Sequence, residues 1–211
     1  MKTSLKKLVG LGLLCVMLVT AGFVSVNRHS TLKKEKAEIH AIRMKLVALP
    51  IETQKALWIT LTPEKRFLLW QDKFDGLLKL NLSEAQRNHL EFIHDRLSPA
   101  FFNHGSPESI EFKKIEPNWR KEGVKLFTLQ VFKQMMITLT DIDGKIFHAT
   151  NYLEAASKFR ATCECSKESD WCSGSEVCNG TCTPPSPNST QCGTFWTYYC
   201  DGMCGAVPSR T

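Results

Sequence analysis

Residues 163–204 read CECSKESDWCSGSEVCNGTCTPPSPNSTQCGTFWTYYCDGMC and hold eight of the nine cysteines in a chain of 211 residues. The eight stand at Cys163, Cys165, Cys172, Cys178, Cys182, Cys192, Cys200 and Cys204. An even set crowded into 42 residues is the pattern of a small domain stapled by disulfides, because so short a segment buries too little apolar surface to fold alone. The competing pattern is a zinc ribbon built from Cys178-x3-Cys182 and Cys200-x3-Cys204, with 17 residues between the pairs. It would strand the other four cysteines, and an export segment ahead of them favours disulfides over thiolates. Four bridges are therefore expected, with their pairing left open by the sequence and no metal or cofactor implied.

Between the cysteines lie Gly174, Gly180, Gly193, Gly202 and Gly205 and a Thr183-Pro184-Pro185-Ser186-Pro187-Asn188 run, so regular structure is scant. The best strand in this stretch is Phe195 to Cys200. Trp171, Phe195, Trp196, Tyr198 and Tyr199 are too many aromatics for so small a core to hide. Some are expected on the surface, as contacts to a membrane or a partner.

Outward from the tail, the chain begins with Lys2, Lys6 and Lys7 before an uncharged, mostly apolar stretch from Leu8 to Val26. That is the n-region and h-region of a secretory signal over residues 1–22, with the small residues Ala21 and Gly22 at the cleavage point. An uncleaved membrane anchor is the alternative, since the stretch approaches the ~20 residues that span a bilayer. The ninth cysteine, Cys15, is one more apolar residue of that run. A secreted or extracytoplasmic location follows in either case.

Residues 27–160 read as a helical carrier. Pro50 and Ile51 open a helix reaching Trp58 or Ile59; Thr62-Pro63-Glu64 opens the next, with Thr as N-cap and Pro at the first helical position. Ser83 to Gln86 is a capping box, and Pro99 marks the stop. Asn103, Gly105, Pro107 and Pro117 break the pattern that follows, and Trp119 to Leu139 resumes as one longer helix. Asp143-Gly144 turns the chain, and Asn151 to Arg160 forms a last short helix. The fold class is thus a mainly α region followed by a small disulfide-rich domain of short strands at 161–211.

Nothing in this region reads as catalytic. His89 and His94 do not share a helix face and are read as satisfied surface histidines, and Asp141-x-Asp143-Gly144 lacks the rest of a calcium loop. The net charge of +6 is asymmetric. The tail carries Lys167 and Arg210 against Glu164, Glu168, Asp170, Glu176 and Asp201, a net −3, which leaves +9 elsewhere. The basic residues are scattered over helices without interleaved aromatics, which argues against nucleic acid. A positive middle would instead attract the negative tail.

Cys163-Glu164-Cys165-Ser166, Ser169-Asp170-Trp171-Cys172, Cys178, Cys182, Cys192-Gly193-Thr194 with Trp196, and Cys200-Asp201-Gly202-Met203-Cys204 together resemble the fulvocin C-related bacteriocins. The resemblance covers about the last 50 residues. Gln191 stands where Gly is expected before Cys192, and Asp201 where Asn is commoner. The resemblance implies an antibacterial peptide, not an enzyme, released from the C-terminus of an exported precursor between Arg160 and Ala161. Its partners would be a target-cell envelope and the export and processing machinery. The alternative is an envelope-associated binding protein whose tail is retained.

Overall fold

The computed structural model describes residues 33–142, 163–172, 176–179, 182 and 190–206. The signal segment with Ala21 and Gly22, the Asp143-Gly144 turn, the helix expected at Asn151 to Arg160, the Arg160/Ala161 boundary and the Pro-rich run lie outside the described residues. Helix α1 occupies residues 33–47, and a compact unit begins within it, at Ile42, and takes in everything described after it. Parts of the expected carrier and of the expected tail domain therefore belong to one unit. It contains α2 (Ile51–Trp58), α3 (Pro63–Leu77), α4 (Glu84–His94), α5 (Pro107–Phe127) and α6 (Leu129–Ile137), then four short strands.

The capping signals act as read. Thr62 Oγ1 accepts from the Lys65 N–H at 3.4 Å with Pro63 at the first position. Ser83 and Gln86 bond reciprocally, side chain to backbone, at 3.0 and 3.3 Å. The buried faces are Leu69, Trp70, Phe74 and Leu77 of α3, Leu90 and Ile93 of α4, and Val131, Phe132, Met135 and Met136 of α6. A 3-10 turn at Ala100–Phe102 adds Phe101 and Phe102 between α3 and α5.

Two expectations in this region are corrected. Pro107 and Pro117 do not break the chain: Pro107 is the first residue of α5 behind the N-cap Ser106, and Pro117 lies inside the same 21-residue helix. An internal proline costs ~3 kcal/mol in an isolated helix by removing one hydrogen bond and crowding the preceding turn. Here Ser109, Phe112, Glu116, Trp119, Gly123 and Phe127 all fall on the buried face, and that packing holds the helix through the proline. The stripe was masked in sequence because Glu116 and Gly123 interrupt the apolar pattern. Gly123 is there for close approach, since a Cβ would sit 2.2 Å from Phe132 Cζ and 2.8 Å from His89 Nε2.

The expected helix Trp119 to Leu139 is two helices, split at Thr128, whose backbone takes φ 64°. Its second half, α6, ends in carbonyls held by donors from distant parts of the chain. Lys73 Nζ donates to the Gln134 and Met135 carbonyls at 3.0 and 2.6 Å and also to that of Thr138. Arg43 Nη1 donates to the Leu139 carbonyl at 2.7 Å while its guanidinium pairs with Asp72 and Asp141. The Arg43 guanidinium meets the negative end of the helix dipole, burial and the neighbouring Arg43 hold the Lys73 amine well below its ordinary pKa, and both side chains satisfy carbonyls that would otherwise be orphaned.

In the tail, β1 (Glu176–Asn179) pairs antiparallel with β4 (Met203–Ala206), placing Cys178 opposite Cys204. β2 (Thr190–Cys192) pairs antiparallel with β3 (Tyr198–Tyr199). The disulfides are Cys163–Cys182, Cys165–Cys178, Cys172–Cys204 and Cys192–Cys200. The two pairs that suggested a zinc ribbon are thus split among all four bridges. Because Cys178 and Cys204 are cross-strand neighbours, two bridges lie side by side, with the sulfurs of Cys165, Cys172 and Cys178 within 4.8 Å of one another. Gly202 is required beside them: a Cβ there would meet Cys178 Sγ at 2.5 Å. Among the described residues no helix is long and apolar enough to cross a membrane. Four disulfides are consistent with an oxidising, extracytoplasmic environment.

Candidate functional site

The strand expected at Phe195 to Cys200 is replaced over Thr194–Trp196 by a 3-10 turn, and only Tyr198–Tyr199 is extended. A strand would send Phe195 and Trp196 to opposite faces. The turn sends both inward. Its cost is backbone strain: Phe195 and Trp196 take φ of 57° and 55°, a region worth about 1–2 kcal/mol less per non-glycine residue. Gly193, at φ 66°, starts the turn, and a Cβ there would stand 2.7 Å from both Ser169 Cβ and Tyr198 Cδ2. The Cys192–Cys200 disulfide closes the base of the loop, so these two aromatics form a pre-set wedge.

The wedge is driven into the helices. Phe195 is fully buried, with its ring centroid 4.9 Å from that of Trp70 and 5.7 Å from those of Phe74, Phe101 and Phe112, mostly edge to face. Trp196 is also buried and lies edge-on to Trp58 at 5.3 Å. Trp58 Nε1 donates to the Trp196 carbonyl at 3.2 Å, and Trp196 Nε1 donates to the Ile137 carbonyl at 2.7 Å, completing the end of α6. Edge-to-face pairs contribute about 0.5–1.5 kcal/mol each beyond area burial, enough in sum to offset the turn's strain.

Beside the wedge sits a buried polar cluster. Glu116 of α5 has no solvent exposure, and its Oε1 accepts from Thr194 Oγ1 at 2.7 Å and from Ser169 Oγ at 3.0 Å. Thr194 Oγ1 in turn accepts from Trp171 Nε1 at 2.9 Å, and the Thr194 N–H donates to Ser169 Oγ at 3.0 Å. Arg120 Nε lies 3.2 Å from Glu116 Oε1, an ion pair, and its guanidinium also donates to the Asp170 carbonyl. Burial pushes the Glu116 carboxyl above its ordinary range, against the opposing pull of Arg120, Thr194 and Ser169. The Ser-Asp-aromatic-Cys run is thereby given a structural meaning. Ser169 and Trp171 join this cluster, while Asp170 accepts from the N–H groups of Cys172 and Cys178 at 2.8 and 2.9 Å and ties two bridges together.

The rim is polar. Lys113 Nζ pairs with Glu168 at 3.0 Å, an ion pair across the seam in which the opposite charges of the two regions meet, and it lies 4.9 Å over the Tyr198 ring. Tyr199 OH is 3.3 Å from His104 Nδ1. Burial, then the charges of Glu116 and Glu168, push the Tyr198 phenol far up, so it stays neutral. The cleft beside Trp196, walled by Trp58, Arg66, Phe102 and His104, has no interior space for a water molecule.

Of the five candidate contact aromatics, some of which were expected on the surface, Trp171, Phe195, Trp196 and Tyr198 are buried and Tyr199 is exposed, at 36 %. The tail has too small a core for those four, but the helices supply one. His89 is not a surface residue either. It stacks on Trp119 at 5.0 Å, and burial lowers its pKa. Glu116 and Arg120 went unread in the sequence, where a lone glutamate on the apolar stripe of α5 was the available signal, and Ser169 and Thr194 were read only as parts of the cysteine pattern. The chain matches no family model, no curated protein and no solved structure.

Proposed function

We propose that this chain is the exported precursor of a disulfide-stapled, bacteriocin-like peptide, in which the helical region sequesters the peptide's aromatic surface. The carrying observation is the burial of Trp171, Phe195, Trp196 and Tyr198 against helices that precede the cysteine region in the chain. A 50-residue tail freed of those helices would present these rings to solvent, which suits insertion into, or docking on, a target-cell envelope. With a net charge of −3 the tail lacks the roughly 1 kcal/mol per basic residue that cationic peptides gain near anionic lipid, so apolar or receptor contact is favoured over electrostatic lysis. The family resemblance of the cysteine pattern supports the same reading. No catalytic step and no nucleic-acid partner enter it; export and processing machinery do, with Arg160/Ala161 as the processing point.

The second reading, an envelope-associated binding protein that keeps its tail, is favoured by Phe195 being the centre of the helical core rather than a surface contact. Growth inhibition separates the two. Oxidised residues 161–211, purified away from the helices, are expected to inhibit some related bacteria more strongly than the full chain does. A correctly bridged peptide that leaves a broad panel growing at about micromolar dose overturns the precursor reading.

A further inference from the structure

We infer that cutting the segment between the helices and the tail does not by itself free the tail: the helical half remains bound as a resident inhibitor, and its removal is a separate step. This rests on the precursor reading above and deepens it. All four disulfides close within residues 163–204, so none would link the halves after a cut at 143–162. The described contacts across the seam are all non-covalent. They are of the kind that holds independent chains together: a central aromatic anchor in a fully enclosed socket, surrounded by polar groups.

Among the described residues the rings that form the socket come from the helical half. Phe195 meets Trp70, Phe74, Phe101, Phe112 and Trp119, and Trp196 meets Trp58 and Trp70. Separation would open that core, expose the end of α6 that Trp196 caps, and leave the Glu116 carboxylate without the two hydroxyls it accepts from. Association takes the Glu116 carboxyl out of water, and the hydroxyls of Thr194 and Ser169 replace the hydrogen bonds it loses, which makes Thr194 the lock of the complex as Phe195 is its anchor. Pre-setting by the Cys192–Cys200 bridge lowers the ordering cost of association. The Cys172–Cys204 and Cys165–Cys178 bridges organise the β1–β4 end, and Asp170, which accepts from the N–H groups of Cys172 and Cys178, ties that end to the seam through its carbonyl bond from Arg120.

The test uses the full oxidised chain with a specific protease site in place of Lys158-Phe159-Arg160. After complete cutting, confirmed by mass, both fragments are expected to elute together at about 1 µM near neutral pH and to part only in denaturant. All five tryptophans are buried around this seam, so emission should stay blue-shifted after cutting and move red on separation. Fragments that elute apart without denaturant overturn the inference. Thr194→Val should weaken re-association of the cut chain about tenfold or more, because it removes a hydroxyl from a buried carboxylate; unchanged association overturns Thr194 as the lock. Ser169→Ala serves if T194V fails to fold before cutting. Dissociated tail is then applied to bacteria: persistent association with an inert free tail upholds the inhibitor geometry and defeats the precursor reading. Prompt separation with an active tail does the reverse.

Discussion

The helices and the cysteine-rich tail place their largest side chains in a common core but arrive there by different means. The helical half uses local signals: a threonine cap, a capping box, and apolar faces at helical spacing. The tail has no such repertoire, and it fixes its backbone with four bridges while surrendering Phe195 and Trp196 to its neighbour. The contrast shows why the aromatics look superfluous when the tail is considered alone. A stapled segment does not need a large core of its own, so its rings are available to complete someone else's. Either half on its own would be missing something: the helices their central ring, the tail a cover for its most apolar loop.

The largest expected effect tests whether the two halves are one cooperative unit. Phe195→Ala should destabilise the chain by about 3–5 kcal/mol, the cost of emptying an enclosed aromatic site. The loss should appear in the melting of helical circular dichroism although the substituted residue is in the tail. A helical transition unmoved by F195A would mean that the halves fold independently.

Next in size is the bridge that presets the wedge. Replacing Cys192 and Cys200 with serine opens a loop of sequence separation 8, for which the loss in stability is about 2–3 kcal/mol on chain-entropy grounds. Because that loop carries the seam's anchor, tryptophan emission should shift red at lower urea than in the parent chain. A parent-like midpoint would show that the helical socket, rather than the bridge, holds the left-handed turn.

Titration should show two slopes of opposite sign, one from Glu116 and one from the histidines. Glu116 is raised above its ordinary 4.5, chiefly by burial. Above 4.5 the folded chain therefore holds a proton that the unfolded chain has released, and stability declines as pH rises through that interval. His89 and His104 are both lowered from 6.5, chiefly by burial, with Lys113 adding to the effect at His104. Below 6.5 the unfolded chain takes up protons first, and stability declines toward acid. Urea midpoints measured between about pH 4 and 8 should lose the first slope in E116Q and part of the second in H89Q. Matching profiles for E116Q and the parent would remove Glu116 from the account.

The smallest effect concerns Asp201, shortly before β4. Asp201 Oδ1 accepts from the Lys167 N–H at 2.8 Å, and an asparagine carbonyl would accept equally. D201N should change stability by no more than about 0.5 kcal/mol by thermal denaturation. A larger change would assign the charge itself a role at the β4 end.

The amino-acid order alone carried the helix starts at Ile51, Pro63 and Glu84, the division into a helical region and a disulfide-rich tail, and the presence of four bridges, because caps, helical spacing and cysteine number are local properties. It did not carry the partners of those cysteines. The β1–β4 register sets Cys178 beside Cys204, yet they bond Cys165 and Cys172 respectively, along a chain path no local pattern encodes. Tertiary packing also kept α5 helical through Pro117, broke the next helix at Thr128, and turned Phe195 and Trp196 inward against their strand preference. Each of those outcomes depends on what a residue buries against. For Glu116 the deciding partners stand 53 and 78 positions away, in the tail, where only the folded chain brings them within hydrogen-bonding reach.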